Sequence, residues 1–242
     1  MSNTWGKELY YIPEYWTFWL KIGAALVLLT IAGIVIHAAL RAVFGKKAKK
    51  IKVHRSYLHT VPVRIWHCLN ALLFVTLLTT GFLNYFNIIG PNEFMVKMHA
   101  LLGKFYVVLW VLFIVMGIVS GYIKNYITKL NGIVERVCNQ AYYYILGIMK
   151  GDSHPYSVTM SNKFNPIQQI SYIGVMFALV PLILCSGLVA QHAKSACMLK
   201  GHIYMGVVGL IFVLVHLYMC TTGDKPLHLF KSMVDGYHRE NS

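Results

Sequence analysis

The sequence predicts an all-α, polytopic membrane protein built as a bundle of five transmembrane helices. Three observations carry this. Of the 242 residues, 57% are hydrophobic and 12% are charged, whereas a soluble domain carries about 25% charged residues. Five apolar stretches each supply the ~20 residues that a ~30 Å hydrocarbon core requires. The acidic residues avoid all five: none falls between Glu14 and Glu93, between Glu93 and Glu135, or between Asp152 and Asp224.

The first stretch, Trp16–Phe44, is longer than the membrane core and should tilt or protrude. It follows Trp5–Trp16, which is polar and aromatic and lacks the basic start of a cleavable signal. The second, Val63–Asn84, follows Pro62, and proline is well tolerated where a helix begins. The third is Met98–Ile123. The fourth, Pro166–Gln191, opens on a proline and contains Pro181, which should kink it. The fifth is Gly201–Thr222. Between the third and fourth, Ile133, Val137, Ala141, Tyr144, Ile145 and Ile148 fall near one helical face. The segment Ile133–Met149 therefore reads as a helix lying on the membrane surface.

Sidedness follows from the basic residues. Of 22 Lys and Arg, 16 lie in the first connection and its edges (Arg41 to Arg64), the third connection (Lys124 to Lys163) and the C-terminal tail. This bias places those segments and the C-terminus in the cytoplasm, with the N-terminus outside. The net charge of +14 is thus loop asymmetry, and the Lys46–Lys50 run suits anionic lipid headgroups. No nucleic-acid partner is implied. Spans without carboxylates argue against an acidic proton relay and a carboxylate-bridged di-metal site. Cys68, Cys138, Cys185, Cys197 and Cys220 are scattered, with no CxxC or CxxCH. A zinc ribbon, a cysteine-held iron–sulfur cluster and covalently attached haem are not indicated.

Histidine is costly inside a membrane unless it is satisfied, and neutral imidazole is the usual axial ligand of a b haem. His202 and His216 share the fifth span, fourteen residues apart. At 100° and 1.5 Å per residue they project from nearly one face, about 21 Å apart along the axis. That is the spacing needed for one haem near each side of the membrane. Gly206 and Gly209 lie on the same stripe, and Gly103 follows His99 by four residues. A flat porphyrin approaches a helix closely where side chains are absent. Depth supplies each partner: His67 matches His216 near the cytoplasmic side, and His99 matches His202 near the outer side. His37 has no partner at its depth and reads as a packing residue. Arg64, one turn before His67, could pair with a haem propionate or snorkel to the interface.

Four segments carry a family resemblance. They are PVRIWHCLNALLFVTLLTTGFL (Pro62–Leu83), KMHALLG (Lys97–Gly103), GDSHPYSVTMSNKFNPIQQ (Gly151–Gln169) and GHIYMGVVGLIFVLVHLYMCTTG (Gly201–Gly223). They resemble the respiratory membrane cytochromes b: the gamma subunit of formate dehydrogenase, the thiosulfate reductase cytochrome b and, more distantly, the hydrogenase cytochrome b. The resemblance implies two haem b groups, ligated by His67 with His216 and by His99 with His202. It implies quinone chemistry, with menaquinone expected, at the polar turn Lys163–Gln168, where Asn165 and Gln168 are the candidate contacts. Asn165 also stands where a helix N-cap stands. The implied partners are an extracytoplasmic iron–sulfur or multihaem electron-transfer subunit and a catalytic subunit. The alternatives are direct exchange with multihaem c-type cytochromes and, from another class, a haem-free anchor or transporter. The expected organisation is an additional N-terminal helix and basic loop over residues 1–60, a four-helix di-haem core over 61–223, and a cytoplasmic tail over 224–242.

Overall fold

The computed structural model describes residues 18–46, 53–86, 88, 92–156, 158–159, 163–193, 195–223 and 227–241. The aromatic segment Trp5–Trp16 and most of the Lys46–Lys50 run lie outside these residues. Five helices are long and apolar enough to cross a membrane. They are α1 (Phe18–Phe44), α2 (Val61–Tyr85), α3 (Glu93–Val119), α5 (Pro166–Ala193) and α6 (Ala196–Met219). A 3-10 turn (Tyr122–Tyr126) and helix α4 (Ile133–Tyr142) precede α5, α7 (His228–Asp235) follows α6, and the described residues include strands β1 (Val53–Tyr57) and β2 (Tyr237–Asn241).

Local chemistry moves several boundaries from those expected. Asn92 accepts from the Met95 amide at 3.1 Å, so α3 starts at Glu93 instead of Met98. One carboxylate therefore does sit in the first turn of a spanning helix, where the helix dipole favours it, and it pairs with Lys97 at 2.8 Å. The same helix stops at Val119, before Gly121, which has a positive φ of 67°. Ser195 accepts from Met198 and starts α6 at Ala196, five residues ahead of Gly201.

Pro181 leaves its mark one turn earlier than a simple kink. Helix α5 widens into a π turn at Gly174–Leu179, where the Val180 amide bonds the Val175 carbonyl. In that register the Met176 carbonyl would need the amide of Pro181, which has no proton. The Trp110 indole supplies the missing donor at 2.7 Å.

Helices α2, α3, α5 and α6 pack in a closed ring, α2 on α3, α3 on α5, α5 on α6 and α6 on α2, while α1 lies outside the ring against α6. Phe74, Tyr106, Val180 and Leu184 form the mid-bundle core. Phe113, Tyr126, Phe164 and Met176 form a second core toward the end that carries α4. Apolar side chains also cover the outside, as Leu28, Leu72, Phe94 and Ile118 illustrate. A bilayer solvates such a surface.

The three basic segments meet at one end of the bundle. Strands β1 and β2 pair antiparallel from Val53↔Asn241 to Tyr57↔Tyr237, joining the first connection to the C-terminal segment. Residues 227–241 are thus helix and strand, not an open tail. The Lys46 amide donates to the Met149 carbonyl at 3.1 Å, tying α1 to the third connection. Gly236 makes the turn between α7 and β2 at φ 84°, and its carbonyl accepts from both Leu58 and His59. A Cβ there would lie 2.6 Å from the His59 carbonyl oxygen. Burial pushes the neighbouring His59 imidazole down to about 4, with His238 and Lys163 adding to the shift.

The segment Ile133–Met149 is helical, with a π turn at Tyr143–Gly147 before its last turn, Ile148–Lys150. Ile145 is exposed and Gln140 is fully buried.

Candidate functional site

Two histidine pairs assemble at two depths of the helical ring. His67, from the second turn of α2, meets His216, from the last turn of α6, with ring centroids 6.2 Å apart. His99, from the second turn of α3, meets His202, early in α6, at 6.0 Å. A metal lies about 2 Å from an imidazole nitrogen, which is itself roughly 1 Å from its ring centre, so two rings sharing one metal stand about 6 Å apart. Both separations meet that requirement. Among the described residues no three His, Cys, Asp or Glu gather as a metal cage. Pairs of imidazoles suit a metal whose other positions are filled by a macrocycle.

The His99/His202 pair, expected from the sequence on the outer side, opens on a cavity of about 440 Å³, lined by residues of α2, α3, α5 and α6. Gly103 and Gly206 both line it, and a Cβ at either would meet nothing within 4 Å. A planar group has room to lie against the backbone at those two positions. Gly209 behaves otherwise: its missing side chain admits Phe74, whose ring edge would be 2.9 Å from a Cβ. It serves helix packing. The cavity wall also includes Asn84, whose Oδ1 is buried and meets no partner.

The hydrogen bonds of the outer rings set which nitrogen is available. His202 Nδ1 lies 2.9 Å from the Ile183 carbonyl, an obligate acceptor, so Nδ1 carries the proton. Thr80 Oγ1 gives its own proton to the Thr76 carbonyl at 2.8 Å and lies 2.9 Å from His99 Nδ1. With that proton placed on the Thr76 carbonyl, the hydroxyl oxygen accepts from His99 Nδ1–H. In both rings Nε2 keeps its lone pair for a metal. Metal-bound histidines characteristically donate their other N–H in this way.

A glycine of the neighbouring helix backs each outer ring. A Cβ at Gly81 would stand 3.1 Å from His99 Cε1, and one at Gly187 would stand 2.9 Å from His202 Cε1. The pattern repeats as a hydroxyl–glycine pair, Thr80–Gly81 on α2 and Ser186–Gly187 on α5. Ser186 Oγ is 3.4 Å from His202 Nδ1. These backing residues were not picked out from the sequence. The signal was present in the doublets TG and SG within otherwise apolar spans, but small residues there also mark ordinary close helix packing.

Removing the Thr80 hydroxyl should be felt at the outer pair alone. Thr80→Val is expected to weaken haem retention there by roughly 10- to 100-fold, the usual scale for a lost outer-shell partner. Thr80→Ser should restore it. Haem content after exhaustive detergent washing reads the difference.

The His67/His216 pair, expected on the cytoplasmic side, is framed differently. Phe212 stacks on His216 at 5.6 Å, and Cys220 Sγ lies 3.9 Å from His216 Nε2. Arg64 donates to the Val234 carbonyl at the end of α7, while its Nε is buried without a partner. Asn165 and Gln168 form a complete capping box on α5. Asn165 Oδ1 accepts from the Gln168 amide at 2.9 Å, and Gln168 Oε1 accepts from the Asn165 amide at 3.0 Å. Asn165 Nδ2 donates to the Tyr144 hydroxyl at 2.8 Å. Burial pushes that phenol up to about 12. The amide protons of Gln168 meet none of the described residues.

His37, read from the sequence as a packing residue, is held on both nitrogens. The Tyr218 hydroxyl meets Nδ1, and the Ile145 carbonyl lies 3.1 Å from Nε2.

The family model described as prokaryotic cytochrome b561 matches residues 58–236. An Escherichia coli (strain K12) protein named "Putative cytochrome YdhU" is 37% identical over 240 residues, covering 95% of this chain and 92% of that protein. No solved structure matches.

Proposed function

This chain belongs to the prokaryotic cytochrome b561 family, and on that premise we propose that it is a di-haem b subunit of a respiratory oxidoreductase, moving electrons between an extracytoplasmic partner and the quinone pool. Membership itself makes the chain a multi-pass prokaryotic membrane cytochrome that binds haem b and carries electrons. The observation that carries the fuller reading is the presence of two histidine pairs, at 6.2 and 6.0 Å, near opposite ends of one four-helix ring.

In this reading His67 and His216 hold the haem on the cytoplasmic side, and His99 and His202 hold the one on the outer side. When bound, haem supplies reversible one-electron chemistry at iron, while the protein sets ligation, spacing and polarity. The outer rings present Nε2 because Thr80 and Ile183 hold Nδ1–H. Gly103 and Gly206 leave the backbone open to a planar group. Arg64 retains a buried N–H that suits a propionate of the cytoplasm-side haem. The core is the segment 61–223, with α1 and the basic loop before it and the α7–β2 unit after it. The basic end faces the cytoplasm and the N-terminus faces outward.

The quinone, menaquinone in this proposal, meets the turn before α5. Gln168 offers its amide protons to a quinone oxygen while its Oε1 stays in the capping box, and Asn165 holds the turn in place. The outer partner is an iron–sulfur or multihaem subunit joined to a catalytic subunit of the formate dehydrogenase or thiosulfate reductase type.

Gln168→Glu separates the two duties of that turn. Glutamate preserves a capping box but has no amide proton. In proteoliposomes, haem reduction by a menaquinol analogue is expected to slow at least tenfold in this variant, with haem content unchanged. An unaltered rate would leave Asn165 and Gln168 as capping residues only.

A further inference from the structure

Helix α1 lies ahead of the residues that the family model matches, 58–236, and outside the four-helix ring. It packs on α6, the helix that carries His202 and His216. A Cβ at Gly23 would be 3.2 Å from Val207, so the second turn of α1 approaches the middle of α6 closely. At the end of the bundle bearing β1 and β2, polar bonds replace this apolar contact. The His37 ring meets the Tyr218 hydroxyl, with the ring and phenol planes nearly perpendicular at 88°. Because the Ile145 carbonyl can only accept, His37 Nε2 carries the proton. Nδ1 therefore accepts from the Tyr218 O–H. One turn further on, Arg41 donates to the Thr221 carbonyl at 2.8 Å.

These two bonds fall just beyond His216, at Tyr218 and Thr221. They hold the last turn of α6, where helix ends otherwise fray because their carbonyls lack intrahelical donors. His37 also reaches the Ile145 carbonyl in the π turn after α4, where backbone bonding is already irregular. It thus fixes three elements at one point: α1, the end of α6 and the surface segment. The corresponding ligand on the outer side, His202, lies in the first half of α6 and is fixed by α5 through Ile183.

We propose that α1 is a splint for the ligand-bearing end of α6, with His37 and Arg41 as positioning residues that fix His216 against His67. The splint rests on the assignment of His67 and His216 to one iron. It acts on one haem of two, which makes it separable from a general contribution to stability. Loss of the His37 bonds frees the last turn of α6 and lets the His216 ring adopt a range of orientations. The His99/His202 pair is untouched.

The test uses the full-length chain in detergent, comparing His37→Phe and Tyr218→Phe with the unmodified protein. Each variant keeps an aromatic ring and removes the His37–Tyr218 bond, so Tyr218→Phe keeps the question open if His37→Phe fails to assemble. The readouts are the low-spin ferric EPR signals, which report the mutual orientation of two axial imidazoles, and the midpoint potential of each haem. The expected result is a broadened or shifted signal and a displaced midpoint for one haem only, the one that His216→Ala removes. His37→Phe removes in addition the bond to the Ile145 carbonyl, which Tyr218→Phe keeps. Unchanged signals in both variants, or equal changes in both haems, would overturn the splint. An unmodified chain without a second b haem would instead overturn the ligand assignment, and is read in the same experiment.

Discussion

Alanine at His99 and alanine at His202 are expected to remove the same haem, each lowering haem b per chain by about half and leaving the other group spectroscopically intact. The expectation follows from the 6.0 Å separation of the two rings and from the fixed tautomer of each. A six-coordinate haem that loses one imidazole loses one of its two axial bonds to the protein. The double variant should lose no more haem than either single one, because both act on one site. His67→Ala and His216→Ala should remove the other haem in the same fashion. Haem content by pyridine haemochromogen, with low-temperature α-band spectra to tell the two groups apart, checks the pairing. If His99→Ala and His216→Ala removed the same spectral component, the pairing would be wrong.

Gly187→Ala should be nearly as damaging, although it adds a single carbon. A Cβ at this position would stand 2.9 Å from His202 Cε1 and 3.1 Å from Nδ1. The ring cannot step aside freely, because Nδ1–H is tied to the Ile183 backbone one turn away on the same helix. Overpacking of this kind costs about 1–3 kcal/mol. At a ligand that cost appears as displacement of the ring from the metal. Haem retention at the outer site is expected to fall about tenfold or more, while the inner haem is kept. Gly33→Ala is the matched control, since a Cβ on that face of α1 meets nothing within 4 Å. Equal haem loss from both variants would show that the close approach of Gly187 to His202 has no special part.

The spans and the two histidine pairs were legible in the sequence for one physical reason. A bilayer forces helices of a set length and penalises unpaired polar groups, so hydrophobic runs give helices and intramembrane histidines stand out. Fourteen residues between His202 and His216 then convert directly into depth. Helix ends were read less well. Asn92 and Ser195 cap their helices ahead of the apolar stretch, and a hydropathy pattern starts only where the apolar residues start. The π turn before Pro181 required knowing that Trp110 of another helix would satisfy the Met176 carbonyl, a tertiary fact. The β1–β2 pairing joins residues 180 to 188 positions apart, and short polar strands carry little local signal. His37 looked solitary because its partners, Tyr218 and the Ile145 carbonyl, lie on other elements and one of them is backbone. Thr80 and Gly187 were missed for a related cause: both act through a neighbour, and a single sequence does not show neighbours.

Haem counted against protein in the purified, full-length chain tests the central claim most directly. The account predicts two haem b per chain, with two resolvable midpoint potentials. One haem per chain in a fully assembled preparation, or a preparation with no b-type absorbance after dithionite reduction, would contradict it.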